Sequence, residues 1–248
     1  MRSCLTLLVV LTVVAPAAAQ DPAIPRDNPD FFFDQPRGTI TIRGSRLFAR
    51  GSSDWYDFVT EHLTLGTKDF NAPGFGIDVN IPLTSRIEVQ GSLDYSVSNA
   101  NSEYRAWTDN NSLPIQQTTR LQEINLGGSI RFGLTRRGRQ VSRLVWVPAR
   151  FVPFVGAGAG MLQYKLEQTG DFVDFQDLSV FYDAFVSDGF TPSAQAFGGV
   201  DIHVFKRMNV TIDGRYLWAN ADLARDWIGF EPIDLAGFRM SAGVSFIF

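Results

Sequence analysis

Cysteine is almost absent from this sequence of 248 residues, in which Cys4 is the only one. Cys4 lies in a segment that we expect to be removed on export, so the mature chain has no cysteine. Disulfides, cysteine–metal sites and thiol catalysis are therefore excluded. A lipoprotein anchor is also disfavoured, because Cys4 precedes the apolar run of that segment instead of following it.

Long apolar runs are absent as well. The best candidate for a membrane-spanning helix, residues 144–162, is interrupted by Pro148, Arg150 and Pro153 and is rich in glycine. A helix needs about 20 consecutive, mainly apolar residues to cross a bilayer. If the mature chain lies in a membrane, it must therefore do so as a closed barrel.

Neither sign of charge dominates, since the sequence has 22 Lys and Arg and 26 Asp and Glu, which gives a net charge of −4. This mild acidity argues against nucleic acid as a partner. Histidine occurs only at His62 and His203, with no adjacent serine motif. A lipid-modifying barrel enzyme is therefore only a remote alternative, and we predict no catalytic, cofactor or metal site.

The first residues have the pattern of a secretory signal peptide. Arg2 gives a positive start, residues 5–14 are apolar, and Ala17-Ala18-Ala19 offers a cleavage site. We predict a signal peptide over 1–19, since the alternative of a transmembrane helix needs a longer run. Residues 20–36, rich in Pro and Asp, are expected to form a flexible periplasmic lead-in, and residues 37–248 to form one barrel domain.

From residue 37 onward, apolar and polar residues alternate with a period of two in eight segments, which predicts eight strands. The segment 151–166 contains Gly156, Gly158 and Gly160 on one face. It lacks the helix and the downstream acid of a dinucleotide-binding loop. We interpret it as a strand whose glycines permit tight curvature.

The connections between these strands alternate in length. Those at Thr84-Ser85 and Lys206-Arg207 are short, whereas 49–72, 100–117, 167–191 and 222–237 are long. Outer-membrane barrels have such short periplasmic turns and long extracellular loops. The exception is 134–150, a basic connection where a short turn is expected, and whether it forms a protruding periplasmic hairpin is open at this point.

The distribution of charge favours a barrel with its apolar face outside. The apolar faces are nearly free of charge, and the opposite faces carry acids and bases in balance, as a membrane barrel with a polar lumen requires. Lysine, common on the outside of soluble sheets, occurs only at positions 68, 165 and 206. The expected lumen network consists of Arg43, Asp78, Glu88, Asp94, Glu123, Arg131, Asp201, His203, Asp213, Arg215 and Arg239.

The last strand, ending Ala242-Gly243-Val244-Ser245-Phe246-Ile247-Phe248, resembles the closing strand of Gram-negative outer-membrane barrels. Together with the number of strands and the alternation of short and long connections, this strand makes the chain resemble the OmpA/OmpX type of barrel. The OmpW type is the second choice. The resemblance implies an all-β, eight-stranded antiparallel up-and-down transmembrane barrel, monomeric and without a cofactor, in the cell outer membrane. It also implies contacts with outer-membrane lipid, lipopolysaccharide and the assembly machinery, whose signal would be Val244, Phe246 and Phe248.

An eight-stranded barrel is just wide enough for its side chains to fill it. We therefore expect a non-enzymatic protein with a side-chain-filled polar lumen and a structural or surface-interaction role through its extracellular loops. The alternative is an OmpW-like conduit for small hydrophobic molecules, in which an apolar upper lumen is lined by Leu162, Tyr164, Phe197 and Leu217. The acidic, aromatic segment 167–191 is expected to be a solvated loop.

Overall fold

The structure is a computed structural model that describes residues 31–109, 112–174 and 179–248. The expected signal peptide, residues 1–19, and residues 20–30 of the expected lead-in lie outside the described residues.

Eight antiparallel strands close into one barrel. Each strand pairs with its neighbours in sequence, and the first pairs with the last from Thr39↔Ile247 to Ala49↔Gly237, so the sheet has no free edge. The predicted eight-stranded up-and-down fold is confirmed. The strands are β1 (Thr39–Ala49), β2 (Ala72–Pro82), β3 (Ile87–Thr108), β4 (Pro114–Gly133), β5 (Phe151–Val173), β6 (Val180–Phe205), β7 (Met208–Trp218) and β8 (Gly237–Ile247).

The strands have two lengths. β1, β2, β7 and β8 have 11 residues each, which is what a tilted strand needs to cross a bilayer. β3 to β6 have 20 to 26 residues. The prediction of long loops at 100–117 and 167–191 was therefore wrong, because strand pairing continues through most of both ranges.

We call the end of the barrel where Thr39 and Ile247 lie the turn end, and the opposite end the cap end. At the cap end, the connection between β1 and β2 contains the helix α1 (Asp54–His62) and a 3₁₀ turn (Thr67–Phe70). The connection between β7 and β8 contains a second 3₁₀ turn (Arg225–Trp227) and the paired segments Asn220–Ala221 and Ile233–Asp234. No helix among the described residues is long and apolar enough to cross a bilayer.

An apolar band surrounds the half of the barrel nearer the turn end. Outward side chains such as Ile42, Leu126 and Met240 are 56%, 64% and 56% exposed, whereas the side chains between them that point into the lumen are polar and buried. A soluble barrel has the opposite arrangement. The barrel therefore spans a membrane with this band against lipid.

Nearer the cap end, the polarity of the two faces is reversed. On β4 and β5 the outward residues Gln122, Gln163 and Lys165 are polar, while Leu121 and Leu166 point inward and are buried. This arrangement is that of a barrel in water. The long strands β3 to β6 thus extend beyond the membrane, and in that part of the barrel their inward side chains are apolar and form a core.

The connection 134–150 forms a hairpin of two short strands, Gly138–Ser142 and Val145–Pro148, that lies across the turn end. Trp146 in this hairpin is buried and exchanges two backbone hydrogen bonds of 2.8 and 3.0 Å with Phe32. Their rings pack edge to face at 5.6 Å. The hairpin and the segment around Phe32 therefore cover the mouth of the lumen.

Candidate functional site: a charged lumen beneath an apolar cap

At the centre of the lumen, three guanidinium groups surround one carboxylate. Asp94 lies 2.9 Å from Arg43, 2.9 Å from Arg239 and 3.4 Å from Arg215. Arg43 makes a second ion pair of 2.8 Å with Asp78. All five residues are at most 5% exposed. Because they come from β1, β2, β3, β7 and β8, this central layer extends across the lumen from several sides.

Two further carboxylates belong to the central layer. Asp213 on β7 accepts a hydrogen bond of 2.6 Å from the hydroxyl of Ser241 on β8. Glu123 on β4 lies 4.0 Å from Arg239, at the cap-end side of the layer. Three guanidinium groups therefore meet four carboxylates, so nearly all charge buried at this level is compensated within the layer.

A second cluster lies nearer the turn end. Arg131 lies 3.2 Å from Glu88 and forms a short ion pair with Asp201, and its guanidinium covers the ring of Phe154 at 3.5 Å. Arg137, from the hairpin at the mouth, reaches in to the other oxygen of Glu88 at 3.0 Å. Burial at the mouth lowers the pKa of Arg137, and the neighbouring Glu88 opposes that shift. Two bases thus balance two acids.

The two histidines lie at opposite ends of the barrel, and His203 borders the same cavity as Glu88, Arg137 and Asp201. His203 is half-buried at the turn end, where its Nδ1 lies 2.9 Å from the side-chain oxygen of Asn209. His62 ends helix α1, stacks on the ring of Phe58 at 4.4 Å, and its Nδ1 lies 3.0 Å from the carbonyl oxygen of the same residue.

Glycines in the wall of the barrel make room for the charged layer. A Cβ on Gly156 of β5 would lie 2.3 Å from the ring of Phe197, over which Arg215 is held at 4.8 Å. A Cβ on Gly127 would lie 2.9 Å from the amide nitrogen of Gln195, whose oxygen accepts a 3.0 Å hydrogen bond from Arg215. The close approach of the ring therefore requires glycine at position 156, whereas a Cβ at position 127 would displace the end of the Gln195 side chain and its hydrogen bond to Arg215.

An apolar core fills the lumen at the cap end. Trp55 of α1 is fully buried and packs edge to face on Phe70 and Trp227, with ring centroids at 5.6 and 6.0 Å. Beneath these rings lie the buried side chains Leu162, Tyr164 and Leu217. Three of the four residues expected in an apolar upper lumen are thus in this core, whereas Phe197 lies below it with the arginines, because its ring is the surface on which Arg215 rests.

The two cap connections are joined through the carboxylate of Asp234. It accepts hydrogen bonds of 2.7 Å from Arg50, 3.0 and 2.9 Å from the backbone and hydroxyl of Ser52, and 3.0 Å from the backbone of Ala236. Burial alone would raise the pKa of Asp234, but these hydrogen bonds hold it below its usual value. The ionised form therefore stabilises the cap.

The residues of the expected assembly signal lie along the outside of β8 at the turn end. Phe246 and Phe248 are 47% and 52% exposed, and Val244 is half-buried. The carbonyl oxygen of Phe248 accepts hydrogen bonds of 2.7 and 3.2 Å from the backbone of Arg37 and Gly38.

No family model and no curated protein matches the chain in sequence. Solved structures are similar in fold. Neisserial surface protein A is 10% identical, with 85% of this chain and 97% of that chain covered and a TM-score of 0.49. The attachment invasion locus protein Ail of Yersinia pestis is 14% identical, with 86% and 100% covered and a TM-score of 0.43. The outer membrane protein W of E. coli is 15% identical, with 87% and 100% covered and a TM-score of 0.37.

The chain has the fold of a small outer-membrane β-barrel. Its own features carry this conclusion: a closed ring of eight antiparallel strands, an apolar band outside and a polar lumen within.

Proposed function

We propose that this protein is a non-enzymatic outer-membrane barrel that does not form an open pore and acts through the part that extends beyond the membrane. The observation that carries the proposal is the central layer, in which Asp94 binds Arg43, Arg215 and Arg239 across the lumen. Nearer the cap end, the apolar core under α1 blocks the lumen at a second level. A structural or surface-interaction role then belongs to the extended strands β3 to β6 and the cap.

In this proposal the turn end faces the periplasm and the cap end faces the outside. The chain enters and leaves the barrel at the same end because the number of strands is even. The connections at that end include the short turns at 83–86 and 206–207, whereas the cap, the tall strands and their tips lie at the other end. Barrels of the outer membrane have their longer connections outside.

Planar-bilayer conductance of the refolded protein tests the absence of a pore. We expect no ohmic channel for the wild-type protein. Replacing the three central arginines by alanine (Arg43→Ala, Arg215→Ala, Arg239→Ala) empties the layer, and a folded form of that variant is expected to conduct more. A steady open channel in the wild-type protein would overturn the proposal.

Surface proteolysis of intact cells tests the orientation. We expect proteases to cut the tip between β3 and β4 at the exposed residues Ser112 and Leu113, and to leave Thr84-Ser85 intact. Cutting at Thr84-Ser85 with the tip protected would reverse the orientation, while a chain protected at both sites in cells but cut in lysates would place the barrel away from the cell surface.

A second candidate function, a conduit for small hydrophobic molecules, is favoured by the apolar side chains that line the upper lumen. Leu162, Tyr164 and Leu217 would have to be uncovered by displacement of α1 and its Trp55. Because Trp218 is exposed on the outside, only stronger quenching of tryptophan fluorescence by a brominated alkane in the wild-type protein than in the Leu162→Gln variant would support this candidate. An identical response of the Leu162→Gln variant would exclude the upper lumen as the site.

A further inference from the structure

Basic side chains surround the rim of the barrel at the turn end. They are found at every connection on that side: before β1, between β2 and β3, on both sides of the hairpin between β4 and β5, and between β6 and β7. All are exposed, and among the described residues none forms an ion pair. We call this set the basic rim, and it consists of Arg37, Arg86, Arg136, Arg150, Lys206 and Arg207.

The acids at this end do not neutralise the basic rim. Glu88 and Asp201 point into the lumen, where Arg131 and Arg137 occupy them. Asp34 is the exposed acid among the described residues on this side. Within residues 31–109, 112–174 and 179–248, the rim therefore presents a ring of uncompensated positive charge.

The basic rim lies directly at the edge of the apolar band. Arg150 precedes Phe151, which is 55% exposed to lipid, and its guanidinium lies 5.8 Å from the centre of that ring. Lys206 follows Phe205, which is 60% exposed. Arg86 follows the turn that begins at Leu83, which is 62% exposed. A molecule with an acyl chain on these apolar groups would place a headgroup beside the cations.

The other edge of the band is different on the long strands. The first polar positions beyond the band on β4, β5 and β6 are Gln122, Gln163 and Asp188, none of which is cationic. Cations do occur at this edge, since Arg46 of β1, Arg120 and Lys165 are exposed, and Lys165 is paired with Glu167. A basic residue at every connection is therefore what distinguishes the turn end.

We propose that the basic rim binds the phosphates of anionic phospholipids, such as phosphatidylglycerol, whose acyl chains pack on the adjacent apolar band. The inference rests on the membrane placement proposed above. A lipid can contact both parts of this surface, with its acyl chains on the apolar band and its phosphate beside the cations. A soluble anionic polymer would contact only the cations. Each cation near a charged lipid surface contributes about 1 kcal/mol, or about fivefold in affinity.

Electron spin resonance with spin-labelled lipids tests the proposal. The refolded protein is placed in phosphatidylcholine vesicles containing labelled phosphatidylglycerol or labelled phosphatidylcholine, and the fraction of motionally restricted label is compared. We expect the wild-type protein to prefer phosphatidylglycerol by about threefold or more at low salt, and less so at high salt. No preference in a folded, inserted wild-type protein would overturn the proposal.

Three triple variants locate the effect. Arg86→Gln, Arg150→Gln and Arg207→Gln remove three of the six charges of the rim and should weaken the preference. Lys68→Gln, Arg105→Gln and Arg225→Gln remove three exposed charges from the cap end and should leave it unchanged. Arg86→Lys, Arg150→Lys and Arg207→Lys should restore it, which guards against a folding defect in the first triple. An unchanged preference in the first triple would overturn the proposal.

Two other results separate this proposal from the one on which it rests. A wild-type protein that does not insert into vesicles, judged by heat-modifiable mobility on a gel, contradicts the membrane placement itself. An inserted protein without lipid preference that binds isolated peptidoglycan through the rim would assign the cations to the cell-wall polymer and overturn the lipid proposal alone.

Discussion

The carboxylate of Asp94 on β3 lies 2.9 Å from the guanidinium of Arg43 on β1, although strand β2 separates the two in the sheet. The pair passes over Gly76 of β2, which lies opposite both residues in register and has no side chain to separate them. The same carboxylate also contacts Arg215 and Arg239 from the opposite side. Asp94 is thus the anion on which the central layer depends.

Replacing that anion is expected to destabilise the barrel strongly. Asp94→Asn leaves three buried guanidinium groups with fewer compensating charges, and breaking a buried ion pair in this way costs about 3–5 kcal/mol. Urea unfolding of the refolded protein in detergent micelles measures the effect. The control is Asp188→Asn on the exposed outer face of β6, for which the change should remain within about 0.5 kcal/mol. Equal effects of the two substitutions would contradict a buried network.

A pair of adjacent substitutions on β4 tests which face points inward. Arg131→Ala leaves Glu88 and Asp201 without their shared partner and should cost about 3–5 kcal/mol. Ile130→Ala, at a side chain that is 53% exposed, leaves no cavity in a packed core and should cost about 1 kcal/mol. The free energy of unfolding of each variant in urea shows which substitution is the more destabilising. Greater damage from Ile130→Ala would place the apolar face inside, as in a soluble barrel.

The strands and their faces could be predicted from sequence because alternation along a strand is a local property. The alternation that predicts β2 and β3 needs only the order of the residues. The pairing of the charges does not follow in the same way. Arg131 shares a face with Glu123 in the sequence pattern, but its partners are Glu88, directly opposite in register, and Asp201, two strands away. Register, tilt and closure of the barrel decide such contacts.

The part of the barrel beyond the membrane was mistaken for loops because its polarity is reversed. Around Leu121 and Leu166 the alternation continues, but apolar residues point inward and polar residues outward. An apolar lumen there requires something to fill it, and that is α1. The spacing of Trp55 and Val59 in α1, four residues apart, is a signal of a buried helix face that was available in the sequence. The sequence shows that 134–150 is basic, but only the fold shows that Arg137 enters the lumen.

The cap is expected to loosen in acid. Because the folded pKa of Asp234 lies below its usual value of about 3.9, ionisation of Asp234 contributes stability that is fully present above about pH 4 and is lost as the pH falls through the folded pKa. Hydrogen-exchange protection factors of the α1 amides measure this opening. Protection should be constant above about pH 4 and decrease below it.

The variant Asp234→Asn should show low protection of α1 at neutral pH and little further loss in acid, since the charge that anchors Arg50 and Ser52 is already gone. Asp226→Asn, at an exposed residue of the same connection, is the matched control and should behave as the wild-type protein does. Equal acid sensitivity of the wild-type protein and Asp234→Asn would assign the opening to another group.

Two glycines one strand apart provide a test of how tightly the central layer is packed. A Cβ on Gly76 of β2 would lie 2.8 Å from the carboxylate of Asp94 and 3.0 Å from the guanidinium carbon of Arg43, so Gly76→Ala forces the ion pair apart. A Cβ on Gly44 of β1 points to the lipid side and meets nothing within 4 Å. We expect Gly76→Ala to cost about 1–3 kcal/mol through overpacking. Gly44→Ala should be neutral or stabilising by up to about 1 kcal/mol, because alanine restricts the unfolded chain. Urea midpoints of both variants measure the difference, and a neutral Gly76→Ala would show that the lumen has room that the central layer does not fill.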